Sequence, residues 1–225
     1  VSYTGNSTGS QSVGHGLSSA PEMVFVKSRD SSGSGFLVRT TAIDGSSDYL
    51  ELNLTNAKAD SGVAVPSTTV VNLGTSVADN TNTQNYIMYC FHSVSGYSKI
   101  GTYDGTGSAG NKQTLGFAPA FVLIKQTNGT DNWYIFDNTR NPLNPVDVAI
   151  RANSNAVEDD LSTNWSLTFL SDGFEFLGTG LNASSNEYIY MAFAGGMDSI
   201  SDYNDTGSID SRVKANPTYG QSIVS

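Results

Sequence analysis

"VSYTGN" (Val1–Asn6) and "KIGTYDGT" (Lys99–Thr106) carry the same junction, Tyr-x-Gly followed by Asn or Thr, 100 positions apart. The chain ends on "SIVS" (Ser222–Ser225), which overlaps the "VS" of its opening. Outward from the junction, "GLSSAPEMVFVK" (Gly16–Lys27) aligns with "GFAPAFVLIK" (Gly116–Lys125) once two loop residues are removed. "LTNAKA" (Leu54–Ala59) pairs with "NSNAVE" (Asn153–Glu158), and "NYIMYCF" (Asn85–Phe91) with "EYIYMAF" (Glu187–Phe193). Islands in the same order at a nearly constant offset are the signature of a tandem duplication. The expected organisation is a unit over 1–95 and a second over 96–196, each with its own core. A polar connector over 197–225 then leads into the first strand of a further unit. Starting without Met on a strand-like phrase, the chain reads as a segment excised or processed from a longer string.

The composition fits units of this size. In 225 residues, 38% are hydrophobic and only 14% charged, with 23 Gly, 11 Tyr and 10 Phe. Few stretches repeat apolar residues at helical spacing, whereas Val, Ile, Thr, Tyr and Phe favour pleated, half-buried surfaces. The expected class is all-β with antiparallel sandwiches. Strands are expected over 22–27, 35–40, 49–53, 68–73 and 86–92 in the first unit. In the second they are expected over 120–126, 133–137, 147–151, 166–170, 173–177 and 188–193. Gly, Asn, Asp and Ser clusters separate them. Met23–Val26 and Phe121–Ile124 are apolar on both faces, the pattern of central strands inside a two-sheet sandwich.

A net charge of −10 and the absence of a Lys/Arg cluster oppose binding to phosphate backbones and anionic membranes. No apolar run approaches the ~18 residues needed to cross a bilayer. The single cysteine, Cys90, precludes an intrachain disulfide or a cysteine zinc cluster and reads as a buried thiol within "YIMYCF".

Candidate sites are sparse. A glycosidase needs two carboxylates facing one groove; the nearest candidates are Asp172 with Glu175, in a turn, and the Glu158–Asp160 run. His15 and His92 occupy non-equivalent places and read as structural. "DYNDTGSID" (Asp202–Asp210) resembles a calcium loop but breaks the required pattern at Thr206 and Val213. "GTGSAGNK" (Gly105–Lys112) lacks the ending of a phosphate-binding loop and reads as a hairpin-like turn. The best glycan candidate is "NGTDNWY" (Asn128–Tyr134), in which Asn128, Asp131 and Asn132 would fix hydroxyls and Trp133 would stack on a sugar. The competing reading packs Trp133 in the core. Strand alternation sets Trp133 and Ile135 on one face, Tyr134 and Phe136 on the other.

The phrases "VGHGL…AP.MVFVK", "YCFHSVSGYSKIGTY", "GFAPAFVLIK…NWYIFDNTR", "LSDGFEFLGTG" and "EYIYMAF" resemble a module of tailed-phage tail-fibre and virion structural proteins, in the concanavalin A-like lectin/glucanase group. The resemblance implies two tandem jelly-roll sandwiches placed in an extracellular virion appendage. It implies partners in other copies of the same chain, as a homo-oligomer, and a host cell-surface glycan. No cofactor, metal, nucleic acid or membrane insertion is expected. The function expected is non-enzymatic, structural and adhesive. A dedicated lectin and a bacterial extracellular adhesive repeat are the alternatives, with a polysaccharide-degrading enzyme third. Fold alone assigns none of these, because the same sandwich carries lectins, hydrolases and spacers.

Overall fold

The computed structural model describes residues 1–161 and 163–195. The connector over 197–225 and the calcium-like phrase Asp202–Asp210 lie outside the described residues. The described chain is all-β, with a single 3-10 turn at Thr163–Trp165. The first half forms β1 (Ser2–Thr4), β2 (Ser12–Gly14), β3 (Met23–Ser28), β4 (Phe36–Thr40), β5 (Asp48–Glu51), β6 (Ala59–Asp60), β7 (Val70–Asn72) and β8 (Asn85–Phe91). The second forms β9 (Ser98–Asp104), β10 (Asn111–Thr114), β11 (Pro119–Gln126), β12 (Trp133–Asp137), β13 (Val148–Arg151), β14 (Asp159–Asp160), β15 (Leu167–Leu170), β16 (Gly173–Phe176) and β17 (Glu187–Ala194).

Every pairing is antiparallel. One six-stranded sheet runs β1-β8-β3-β4-β5-β6, the other β9-β17-β11-β12-β13-β14. Strand for strand the two orders correspond, and the registers agree: Met23 opposes Phe91 as Phe121 opposes Phe193, and Lys27 opposes Phe36 as Lys125 opposes Trp133. A two-stranded sheet, β2-β7, and a three-stranded sheet, β10-β16-β15, complete the set.

Side-chain alternation fixes how the sheets stack. Val24, Val26, Tyr86 and Met88 point away from the second half and pack with Val71 and Val13 of the β2-β7 sheet. Val122, Ile124, Phe136 and Tyr188 pack with Leu167, Phe174 and Phe176 of the three-stranded sheet. The opposite faces meet each other: Met23, Phe25, Val38 and Leu50 pack against Leu123, Trp133, Ile189 and Met191. The sheets thus form four layers, with the six-stranded sheets innermost. A two-layer sandwich leaves one face of each sheet to water. The doubly apolar runs Met23–Val26 and Phe121–Ile124 are apolar because their sheets are covered on both sides. The halves therefore share a central core in addition to their own outer ones. Burying each large side chain of that layer stabilises by roughly 1.5–3 kcal/mol.

The repeated junction has a packing cause. Tyr3 stacks on Tyr86 with ring centroids 5.2 Å apart, and Tyr103 on Tyr188 at 4.8 Å. The Tyr3 hydroxyl donates to the Asp79 carbonyl at 2.6 Å and the Tyr103 hydroxyl to that of Leu181 at 2.8 Å. A Cβ on Gly5 or Gly105 would overlap the carbonyl of Thr81 or Ala183, so glycine is the residue that permits this approach. Beside each glycine lies a fully buried asparagine. Asn80 accepts from the Asn6 amide at 2.8 Å and donates to the carbonyls of Thr8 and Gly74 at 2.8 and 2.7 Å. Asn182 accepts from Thr106 N at 2.9 Å and donates to Ser108 O at 2.6 Å and Gly178 O at 3.3 Å.

A buried charged pair of the first half is replaced by apolar residues in the second. Arg39 and Asp79 form a buried ion pair, with Arg39 also donating to Asn72 O at 2.6 Å. By register the same places in the second half hold Phe136, opposite Val122 as Arg39 is opposite Val24, and Leu181. Both are buried.

Two outcomes follow for stability, each read by chemical denaturation. Asn182→Ala orphans several buried groups, each worth about 1–3 kcal/mol, and Asn182→Asp does no better because the Ser108 and Gly178 carbonyls need donors. Asp79→Leu alone costs about 3–5 kcal/mol by leaving Arg39 uncompensated, whereas the double change Arg39→Phe, Asp79→Leu restores most of that loss.

Candidate functional site

The sequence directs attention to the β11–β12 loop, and the structure shows what its polar groups do. Asn128 is exposed, yet its amide is committed internally: Nδ2 donates to Ser185 O at 2.9 Å and Oδ1 accepts from Glu187 N at 3.1 Å. Asp131 Oδ1 accepts from Asn132 N at 2.7 Å and from the Tyr134 hydroxyl at 3.3 Å. Asn132 Oδ1 accepts from Asn153 Nδ2 at 2.8 Å. Asn128, Asp131 and Asn132 hold the loop's shape with these contacts.

Trp133 corrects the expectation of a sugar-stacking ring. It is 1% exposed, lies in the central core, and its indole N–H donates to the Glu51 carbonyl at 3.0 Å. Strand alternation turns the ring toward the first half, which leaves no face for a ligand. Ile135 shares that face, while Tyr134 and Phe136 point to the outer core as the alternation predicts.

The loop itself bridges the halves. Lys58 N donates to Thr127 O at 2.7 Å, and Asp131 N to Thr55 O at 3.0 Å. Beneath it Lys125 is fully buried, its ammonium donating to Gln126 O at 2.5 Å and Gly129 O at 3.4 Å. Burial lowers its pKa to about 8, partly opposed by the charge of Asp131. This lysine was missed at the sequence level; the parallel Lys27, donating to Ser34 O at 2.5 Å, was the available signal.

The other candidates lie apart. Asp172 pairs with Lys112 at 2.9 Å, and Glu175 sits on β16 opposite Lys112 and Thr168. Glu158 is exposed in the loop preceding β14. His15 is buried, its Nδ1 accepting from Leu17 N at 3.1 Å and Nε2 lying 3.2 Å from Ser67 O. His92 Nδ1 is 2.9 Å from Ser93 O, far from His15 in the chain. Among the described residues no group of three or more His, Cys, Asp or Glu is placed to hold a metal ion. Cys90 is half-buried, and burial pushes its thiol pKa up to about 11.

A concavity not legible in the sequence opens between the six-stranded sheets. It measures about 210 Å³ and is lined by apolar side chains, among them Phe25, Tyr89 and Phe91 from one sheet and Leu123, Ile135 and Met191 from the other.

Residues 1–196 match a domain of unknown function, DUF7483. The chain belongs to the DUF7483 family. That match spans both halves and so embraces the whole four-layer stack. No curated protein and no solved structure matches the chain.

The buried lysine makes stability depend on pH. Unfolded Lys125 titrates near its ordinary 10.5 and native Lys125 near 8, so between these values the unfolded chain binds more protons. Native stability should climb as pH rises from 8 to about 9, by at most about 1.4 kcal/mol per unit; above 9 the Cys90 thiol, raised by burial from 9.0 to about 11, opposes the rise. Above pH 10 the opposite shift of Tyr103 and Tyr190, raised by burial, reverses the trend. Urea midpoints across this range, compared with Lys125→Met, should show the rise only in the native sequence.

Proposed function

We propose that the chain is a non-enzymatic, structural and adhesive module of a phage tail fibre or related virion appendage, built from two tandem concanavalin A-like jelly-roll sandwiches. The observation that carries this reading is the shared apolar layer around Trp133, Leu50, Phe25 and Met191, which joins two halves of like strand order into one body. Such a body suits a spacer that must transmit orientation along an appendage. The surface, poor in charge and rich in Ser, Thr, Asn and Gly, suits an extracellular particle. Assembly with other copies of the chain would multiply weak contacts to a host cell-surface glycan into useful avidity.

The dedicated-lectin alternative loses support from the burial of Trp133 and from the internal hydrogen bonds of Asn128, Asp131 and Asn132. A polysaccharide-degrading activity gains no support from Asp172, whose carboxylate pairs with Lys112.

Immunogold electron microscopy of source particles, with antibody to these 225 residues, tests the assignment. Label along or at the tip of tail appendages is the expected result. Label on cell surfaces without virion label overturns it in favour of a bacterial adhesive repeat. A parallel glycan array separates module from lectin: saturable binding lost on Asn128→Ala and Asp131→Ala would install the lectin reading.

A further inference from the structure

The buried pair of the first half leaves a donor over. Arg39 is 5% exposed, and its two terminal nitrogens are engaged, one donating to Asn72 O at 2.6 Å and the other to the Asp79 carboxylate. Its Nε–H has no hydrogen-bond partner among the described residues. A buried guanidinium is stable only when its remaining protons are also satisfied. In the second half Phe136 stands in this place and brings no donor.

Arg39 borders a cavity of about 10 Å³ between the inner six-stranded sheet and the outer β2-β7 sheet. That is about the room a single water needs. Val24 and Val71 form apolar walls, while Ser47 and Asn72 bring polar groups. The backbones of both polar residues are occupied. The Ser47 carbonyl accepts from Ser61 N at 2.9 Å, and the Asn72 carbonyl accepts from Arg39. Asn72 Nδ2 donates to Val65 O at 3.0 Å, so Oδ1 is the side-chain atom left to accept. The Glu22 carbonyl, also on the cavity, is taken by Thr41 N at 3.1 Å and Thr40 Oγ1 at 2.9 Å.

We propose that this cavity binds one water molecule, which accepts from Arg39 Nε and donates to Asn72 Oδ1 and the Ser47 hydroxyl. Three partners are the usual set for a buried water. An anion fits worse, because Asp79 already neutralises Arg39 and Asn72 Oδ1 would face the anion as an acceptor. A hydrocarbon group would leave the Nε–H orphaned. Arg39 lies on β4, Ser47 just before β5 and Asn72 on β7, so the water joins the inner layer to the outer one. The β2-β7 sheet needs such a joint. It has two strands of three residues each and sets Val13 and Val71 against Val24, Val26 and Met88. The three-stranded sheet of the second half is held through hydrocarbon, with Leu167, Phe174 and Phe176 in its core.

Crystals of the full chain grown with bromide as the only halide test the occupant. Density should show a peak within ~3.2 Å of Arg39 Nε, without anomalous signal. In solution the Arg39 Nε–H should give a dipolar cross-peak to bound water. Ser47→Val fills the cavity and removes an acceptor, so the cross-peak should be lost while the Val26 and Met88 amide shifts report a retained fold. An empty cavity without a cross-peak overturns the site. An anomalous peak beside Arg39 overturns water in favour of an anion. A cross-peak that survives Ser47→Val in a folded chain places the water elsewhere and overturns the site too. Should that variant fail to fold, the native density and cross-peak decide alone.

Discussion

The apolar layer between the six-stranded sheets is the constraint from which the rest follows. Once Met23, Phe25, Val38 and Leu50 are committed to Leu123, Trp133, Ile189 and Met191, each inner sheet has one face spent on its partner. Its other face is still apolar and must find cover, and the thin β2-β7 and β10-β16-β15 sheets provide it. The β11–β12 loop is clamped to Thr55 and Lys58 for the same reason, because Trp133 at its end is anchored in the other half.

The longer strands were legible because they carry runs of Val, Ile, Phe and Tyr, and β3, β4, β8, β11, β12, β16 and β17 fall where those runs predict. β2, β6, β10 and β14 were not legible. Two to four residues of "SVG", "AD", "NKQT" or "DD" show no alternation, and they become strands only because a neighbour presents an edge. The stacking was present in the sequence but misread. A run apolar on both faces indicates a sheet covered on both sides, which a two-layer sandwich cannot supply. Trp133 shows the complementary failure. Its loop has the composition of a sugar site, but the ring's direction is decided by the Glu51 carbonyl, 82 residues away, which no local pattern encodes.

What the halves keep and what they change separate two kinds of requirement. The stacked tyrosines, the glycine that admits a carbonyl, the buried asparagine and the lysine under its loop are common to both because each closes a backbone gap that geometry imposes. Position 39 and its partner vary because the same volume can be filled by an ion pair or by hydrocarbon, provided both members change together.

That variation has a bearing on how the chain finds its fold. Two halves with matching strand order and register invite strand exchange between them during folding. A β4 segment inserted into the second half would bring Arg39 against Leu181, a guanidinium with no anion in a closed apolar pocket. A β12 segment in the first half would set Phe136 against the Asp79 carboxylate. Either misplacement buries a lone charge, so the ion pair disfavours exchange of β4 and β12, strands that share a register but not a sequence.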